Sequence, residues 1–143
     1  MQEIEYKLCV WRRLIGGLLA VAPLALAGFS IASTDKAPFS WFAFIFGLFA
    51  LYITYINFYF VAVRPLLWRR THGNMDDYKH ASVIPALATI SGIFCCVIGY
   101  GNFITSIIAL VVFILDMGGF PWFVYGTWKD KSFWDTKVDE EII

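Results

Sequence analysis

At 143 residues, with 59% hydrophobic, 19% aromatic and 15% charged side chains, the chain has room for one domain and too few charges for an ordinary soluble one, in which about a quarter of residues are charged. Eleven Lys and Arg balance eleven Asp and Glu, so the formal net charge is zero, and no nucleic-acid partner is expected. The apolar residues gather in long runs and do not recur with the period of a half-buried helix or strand, which predicts an integral, multi-pass membrane protein.

Met1 to Arg13 is a short polar lead ending in Trp11, Arg12 and Arg13. A first apolar run follows from Leu14 to Ala32, long enough at about 1.5 Å per residue to nearly cover the roughly 30 Å hydrocarbon layer. Ala25-Leu26-Ala27 ahead of Gly28 resembles a signal-peptidase site, but Glu3 and Glu5 in the lead, and an apolar run that continues past the cut, favour a retained span. Ser33 to Pro38 links it to a second span, Phe39 to Val63, with Trp41 and Tyr59 placed for the interfacial aromatic belts.

Arg64 to His80 is the longest link between spans and carries Arg64, Arg69, Arg70 and Lys79. The third span is expected over Ala81 to Ile98, turning through Gly99-Tyr100-Gly101-Asn102 into a fourth, Phe103 to Trp122. Residues 1–128 therefore form the membrane domain. Residues 129–143 read as a polar tail, mostly solvated, although Trp134, Val138 and Ile142 at helical spacing offer a docking face.

Ten of the eleven Lys and Arg fall in the lead, the central link and the tail, which by the positive-inside rule sets both termini and that link in the cytoplasm. The expected fold is an all-α, four-transmembrane-helix antiparallel bundle with N-in/C-in topology, in a bacterial inner membrane. Arg12, Arg13, Arg64, Arg69 and Arg70 are then the basic residues at the membrane surface.

Membrane helices associate through small residues and through polar side chains that bond across the gap. One such stripe is legible in each span: Gly16, Ala20, Pro23 and Ala27; Ala43, Gly47, Ala50, Thr54 and Asn57; Pro85, Thr89, Gly92, Cys96 and Gly99; and Thr105, Ala109, Val112 and Asp116. Gly16, Ala20, Gly47, Ala50 and Gly92 are the expected close-packing positions. Asp116 ends thirteen uncharged residues and precedes Met117-Gly118-Gly119-Phe120-Pro121. A charge there costs roughly 2.5 to 3.5 kcal/mol on insertion scales and faces a bundle interior or water. Counting depth from Arg64, Ala81 and Trp122 puts Asn57, Thr89 and Asp116 at one level, about 10 Å inside the boundary. A polar layer of Asp116, Asn57 and Thr89 follows. The competing reading ends the span at Gly118 and leaves Asp116 to headgroups or to Arg12 or Arg64.

Other chemistry is sparse. His72, Asp76 and His80 share a four-residue spacing, but Gly73-Asn74 argues for a turn there, so no metal is expected. Cys9, Cys95 and Cys96 imply no disulfide, and nucleophile motifs and phosphate loops are missing, so neither a cofactor nor an enzymatic activity is expected. Beyond the lipid bilayer, the expected partner is another membrane protein, or a second copy. The chain reads as an accessory subunit or a protective immunity-like protein, the alternative being a small oligomeric transporter or channel with Asp116 as its proton- or cation-coupling residue.

Overall fold

Helix α1 spans Val10–Ala32, about 35 Å of rod, and takes Trp11, Arg12 and Arg13 into its first turn. The structure is a computed structural model that describes residues 6–34, 38–74, 78–79 and 82–137. Pro23 lies buried within α1. Ser40 caps α2, Trp41–Phe58, by accepting the Ala43 N–H.

The second run does not stop at Val63. A π-helical turn, Tyr59–Val63, carries α2 into α3, Arg64–His72, so Trp41–His72 is one 32-residue rod of about 48 Å. The first half of the expected central link is therefore helical. The π turn sits immediately before Arg64-Pro65, where a regular helix would set the proline ring against the carbonyl four residues back, and the wider turn relieves that clash. Gly73, at φ +73°, then ends α3 in the left-handed conformation, its N–H bonded to the Arg69 carbonyl at 3.0 Å. Asp76 and His80, the other two members of the spaced trio with His72, lie outside the described residues. His72 itself stacks on Trp68 at 3.9 Å between ring centroids.

The expected third span is only partly helical. Helix α4 covers Leu87–Ile98, 12 residues, about 18 Å long, while residues 82–86 run as irregular backbone. Pro85 is the cause: it has no N–H for a helix and holds Ile84 in an extended conformation. Pro85 is also exposed, so it leaves the packing stripe to which its spacing assigned it. The fourth span is interrupted as well. Helix α5, Phe103–Leu115, begins at an Asn102 cap, ends at Asp116, and gives way to α6, Phe120–Thr127. Three helices are long and apolar enough to cross a membrane, Val10–Ala32, Trp41–His72 and Phe103–Thr127, the last only by running through the interruption at Asp116.

Helices α4 and α5 pack together at the centre, with α2 against both on one flank and α1 against α5, α4 and α6 on the other. The core is built from small and medium side chains: Ala27, Ala50, Ile53, Ala88, Cys96, Ala109, Val112 and Phe113. Close approach depends on glycine in two places. A Cβ on Gly47 would lie 2.8 Å from Ile108 Cγ2, and one on Gly92 would lie 2.8 Å from Phe113 Cε1. The large aromatics Trp41, Phe42, Tyr52 and Tyr55 point outward.

The tail departs from the solvated reading. Asp130 caps a single turn, α7, Lys131–Trp134, and Trp134 and Asp135 are buried. Strand β2, Thr136–Lys137, pairs antiparallel with β1, Tyr6–Lys7. Trp134 occupies the space over Gly16, so Gly16 admits the tail and does not bring a second span close. Ala20, half-buried, lines a groove with Pro121, Val124 and Tyr125 of α6. Val138 and Ile142 lie outside the described residues.

Candidate functional site

The two interruptions lie side by side, and Asp116 sits between them. The last bond of α5 runs from the Asp116 N–H to the Val112 carbonyl at 2.8 Å, after which ψ of 89° turns the chain out of the helix. The Asp116 side chain then directs the turn: Oδ1 accepts the Gly118 N–H at 3.2 Å, and the Asp116 carbonyl accepts the Gly119 N–H at 2.8 Å. Pro121 in the first turn of α6 sets the restart, since its missing N–H falls where a helix leaves its donors unpaired.

Asp116 is 0% exposed, as are Asn57 and Thr89, and the three are bonded together. Asn57 Nδ2 donates to Asp116 Oδ1 at 2.7 Å, and the Thr89 hydroxyl donates to Oδ2 at 3.2 Å. Every one of these partners is a donor, the arrangement that suits a carboxylate. Among the described residues no arginine reaches Asp116. Arg12 is exposed, Arg13 is engaged elsewhere, and Arg64 lies over the rings of Phe60 and Tyr78.

Asn57 holds the other interruption too. Its Nδ2 donates to the Ile84 carbonyl at 3.0 Å while its Oδ1 accepts the Ile84 N–H at 2.9 Å, so the amide pairs with Ile84 as a neighbouring strand would. Reversing the amide would set its oxygen against Asp116 and the Ile84 carbonyl, so the network fixes its orientation. Two residues on, the Ala86 N–H donates to the Gly118 carbonyl at 2.9 Å, and Ala86 takes φ of 59°, a left-handed conformation that costs an alanine about 1 to 2 kcal/mol. Irregular backbone in apolar surroundings has to find every partner within the protein. Here Asn57 supplies both partners of Ile84, the Gly118 carbonyl that of the Ala86 N–H, and the Asp116 carboxylate that of the Gly118 N–H.

Gly118 and Gly119 are required by this crowding and not by their dihedrals. A Cβ on Gly118 would lie 2.5 Å from Asn57 Nδ2 and 2.9 Å from the Ile84 carbonyl, and one on Gly119 would collide with Thr89 Oγ1 and stand 2.8 Å from Asp116 Oδ2. Thr54, one turn before Asn57, is buried with its hydroxyl unpartnered. Ala50, Gly47 and Gly92 sit in the packed interface between α2, α4 and α5 beyond the site.

A second polar layer joins α1 to the hairpin between α4 and α5. Ser30 and Ser106 hydroxyls are 2.6 Å apart, the Gly101 N–H donates to Ser30 Oγ at 3.0 Å, and Ser106 donates to the Asn102 carbonyl at 2.7 Å. Spacing could have found its serines, because Ser30 follows Ala27 by three residues on the small-residue stripe of α1. Ser106 precedes Ala109 by three residues in the same way, but only the fold sets it against Ser30.

A third polar cluster ties the tail to α1. Arg13 grips Asp135 through one edge of its guanidinium, Nε to Oδ1 at 3.0 Å and Nη2 to Oδ2 at 2.8 Å, and the Cys9 N–H adds a bond at 3.3 Å. The hydrogen bonds from Arg13 hold the Asp135 carboxyl below the usual carboxylate range. Of the five arginines expected at the membrane surface, Arg12, Arg69 and Arg70 are exposed, the latter two in the last turn of α3, where they complement its dipole.

No protein family, curated protein or solved structure matches this chain.

Proposed function

We propose that this chain is a small, non-enzymatic integral membrane protein that acts by binding another membrane protein, either as an accessory subunit of a complex or as a protective protein of the toxin-immunity kind. The observation that carries this reading is how the polar groups are disposed. The Asp116 carboxylate is spent inside the fold on Asn57, Thr89 and Gly118, whereas α2 directs the hydroxyls of Tyr52 and Tyr55 outward. A side chain already saturated by its own chain serves architecture, and an amphipathic one facing lipid is free to meet a partner.

In this reading the chain crosses the membrane four times as an antiparallel bundle in a bacterial inner membrane, with both termini and the Arg64 to His80 link in the cytoplasm. The placement of ten of eleven Lys and Arg supports that orientation. Helix α4 is about 18 Å long, so the third crossing also takes in the irregular residues 82–86. Purification from native membranes in mild detergent, followed by mass spectrometry, tests the proposal. A stoichiometric second membrane protein is expected, and repeated recovery of this chain without one overturns the reading.

The break between α5 and α6 at Asp116, beside the irregular start of α4, favours one other reading, a small oligomeric transporter, because broken helices around an intramembrane carboxylate are how such proteins build ion sites. It predicts pH-coupled flux in reconstituted vesicles that Asp116→Asn abolishes. Wild-type vesicles without flux remove it.

A further inference from the structure

Helix α2 packs on α4 and α5 along one side only. On its opposite side Trp41, Ile45, Leu48, Tyr52, Tyr55 and Tyr59 are exposed, separated by four, three, four, three and four residues. Eighteen residues in five steps average 3.6, the period of a straight helix, so these side chains form one continuous stripe from the capped start of the helix to its π-helical turn.

Tyr52 and Tyr55 are 62% and 67% exposed, yet they lie about 16 and 21 Å along the rod from Trp41, far from either end of the apolar run. Side chains lean toward the N-terminus of their helix, which carries the Tyr55 hydroxyl deeper still. Neither phenol has a hydrogen-bond partner among the described residues. A hydroxyl left unpaired in hydrocarbon is unfavourable, and water does not reach that depth.

We propose that a second copy of this chain covers this face, in a parallel two-fold dimer along α2 with the Tyr52 and Tyr55 hydroxyls bonded across it, which leaves the exposed face of α5, Ile104, Ile107, Val111 and Ile114, for a different membrane protein. The inference rests on the membrane placement set out above. Two copies inserted in the same sense are related by an axis along the membrane normal, which sets α2 beside α2 with each residue near its own equivalent. A phenol both donates and accepts, so the same rings on a second copy complete one another's bonds. The exposed parts of these side chains present on the order of 500 Å² per copy, which brings the pair to about 1,000 Å², the threshold of a specific contact. Apolar area alone drives little association in lipid, so the hydroxyls supply the specificity.

The test uses the full chain in lipid vesicles at low protein density, with copies counted by single-molecule photobleaching and contacts read by disulfide crosslinking. Two copies per spot are expected, with Leu48→Cys crosslinking efficiently and Leu18→Cys, on the exposed face of α1, not crosslinking. Tyr52→Phe with Tyr55→Phe should weaken dimerisation by roughly threefold per hydroxyl, close to tenfold together. Single copies at all densities, equal crosslinking at positions 18 and 48, or an unchanged dimer in the double Phe variant each overturn it. A single copy that still co-purifies with a different membrane protein overturns the dimer and leaves the binding function standing.

Discussion

Asn57 and Asp116, 59 residues apart in sequence, meet through a 2.7 Å hydrogen bond at the level where α5 breaks and the irregular lead into α4 runs, and the same amide bonds both backbone groups of Ile84. One side chain thus joins α2 to both interruptions. Asn57→Leu removes the partner of the part-buried Ile84 N–H and carbonyl and one of the two donors to Asp116 Oδ1, which keeps the Gly118 N–H. Each unsatisfied group costs about 1 to 3 kcal/mol, so a loss of about 2 kcal/mol or more is expected by reversible unfolding in detergent. A loss below about 1 kcal/mol would show that the layer does not hold the fold.

Asp116 tolerates substitution according to hydrogen bonding and not size. Asp116→Asn keeps an oxygen for Asn57 and Gly118 and turns its amide toward Thr89, whose hydroxyl can accept, so it should cost much less than Asp116→Leu, which strands three donors. Thr89→Val removes one longer bond and should cost about 1 kcal/mol. Parallel unfolding curves for the three variants check the order Leu, then Asn, then Val at position 89 as the mildest. Equal losses for Asp116→Asn and Asp116→Leu would mean that the charge itself is what the site requires.

The glycines divide by what surrounds them. Gly118→Ala and Gly119→Ala force a methyl against Asn57, Ile84, Thr89 and Asp116, and each should destabilise by about 2 kcal/mol or more. Gly17 and Gly126 meet nothing within 4 Å and lie inside helices, so alanine there should stabilise by about 0.5 to 1 kcal/mol through helix propensity. Melting temperatures of the four variants are the measurement, and a fall at position 17 or 126 contradicts the packing described.

The tail contact depends on pH in a definite direction. Asp135 has its carboxyl pKa lowered from 3.8 when the tail is docked, chiefly by hydrogen bonds from Arg13. The docked form is therefore favoured above the free carboxyl's pKa, and that preference is lost as pH falls through the lowered value. Hydrogen exchange across residues 131–137, taken relative to the free-chain rate at each pH, should stay slow at neutral pH and quicken under strong acid. Asp135→Asn and Arg13→Gln should quicken it already at pH 7, while Lys131→Gln should not.

The glycines of Gly118-Gly119 and the prolines at 85 and 121 mark, in the sequence, where helices weaken, but they do not say whether the chain ends there or continues on a new course. Asn57, Thr89 and Asp116 could be placed at one depth because depth follows from counting along a rod of fixed rise. Their mutual bonding was not legible, because it depends on the rotation and approach of three helices. Ile84 shows the limit most clearly: its role is carried by its backbone, which has no residue type to read. The tail misled for a related reason, since Asp135 looks like one more surface carboxylate until Arg13, 122 residues away, is seen to hold it.

What the sequence by itself determined was the environment and the main rods. Hydrophobic runs separated by charged links follow from transfer energies that each segment carries alone, and they sufficed to mark a membrane protein with its apolar helices. The tertiary structure decided the rest: that α2 runs on to His72, that the third run is helical only from Leu87, that Asp116 closes a turn between two interrupted helices, and that Trp134 docks over Gly16. Each of these turns on a group finding its partner from a distant part of the chain, and only the packed fold sets such distances.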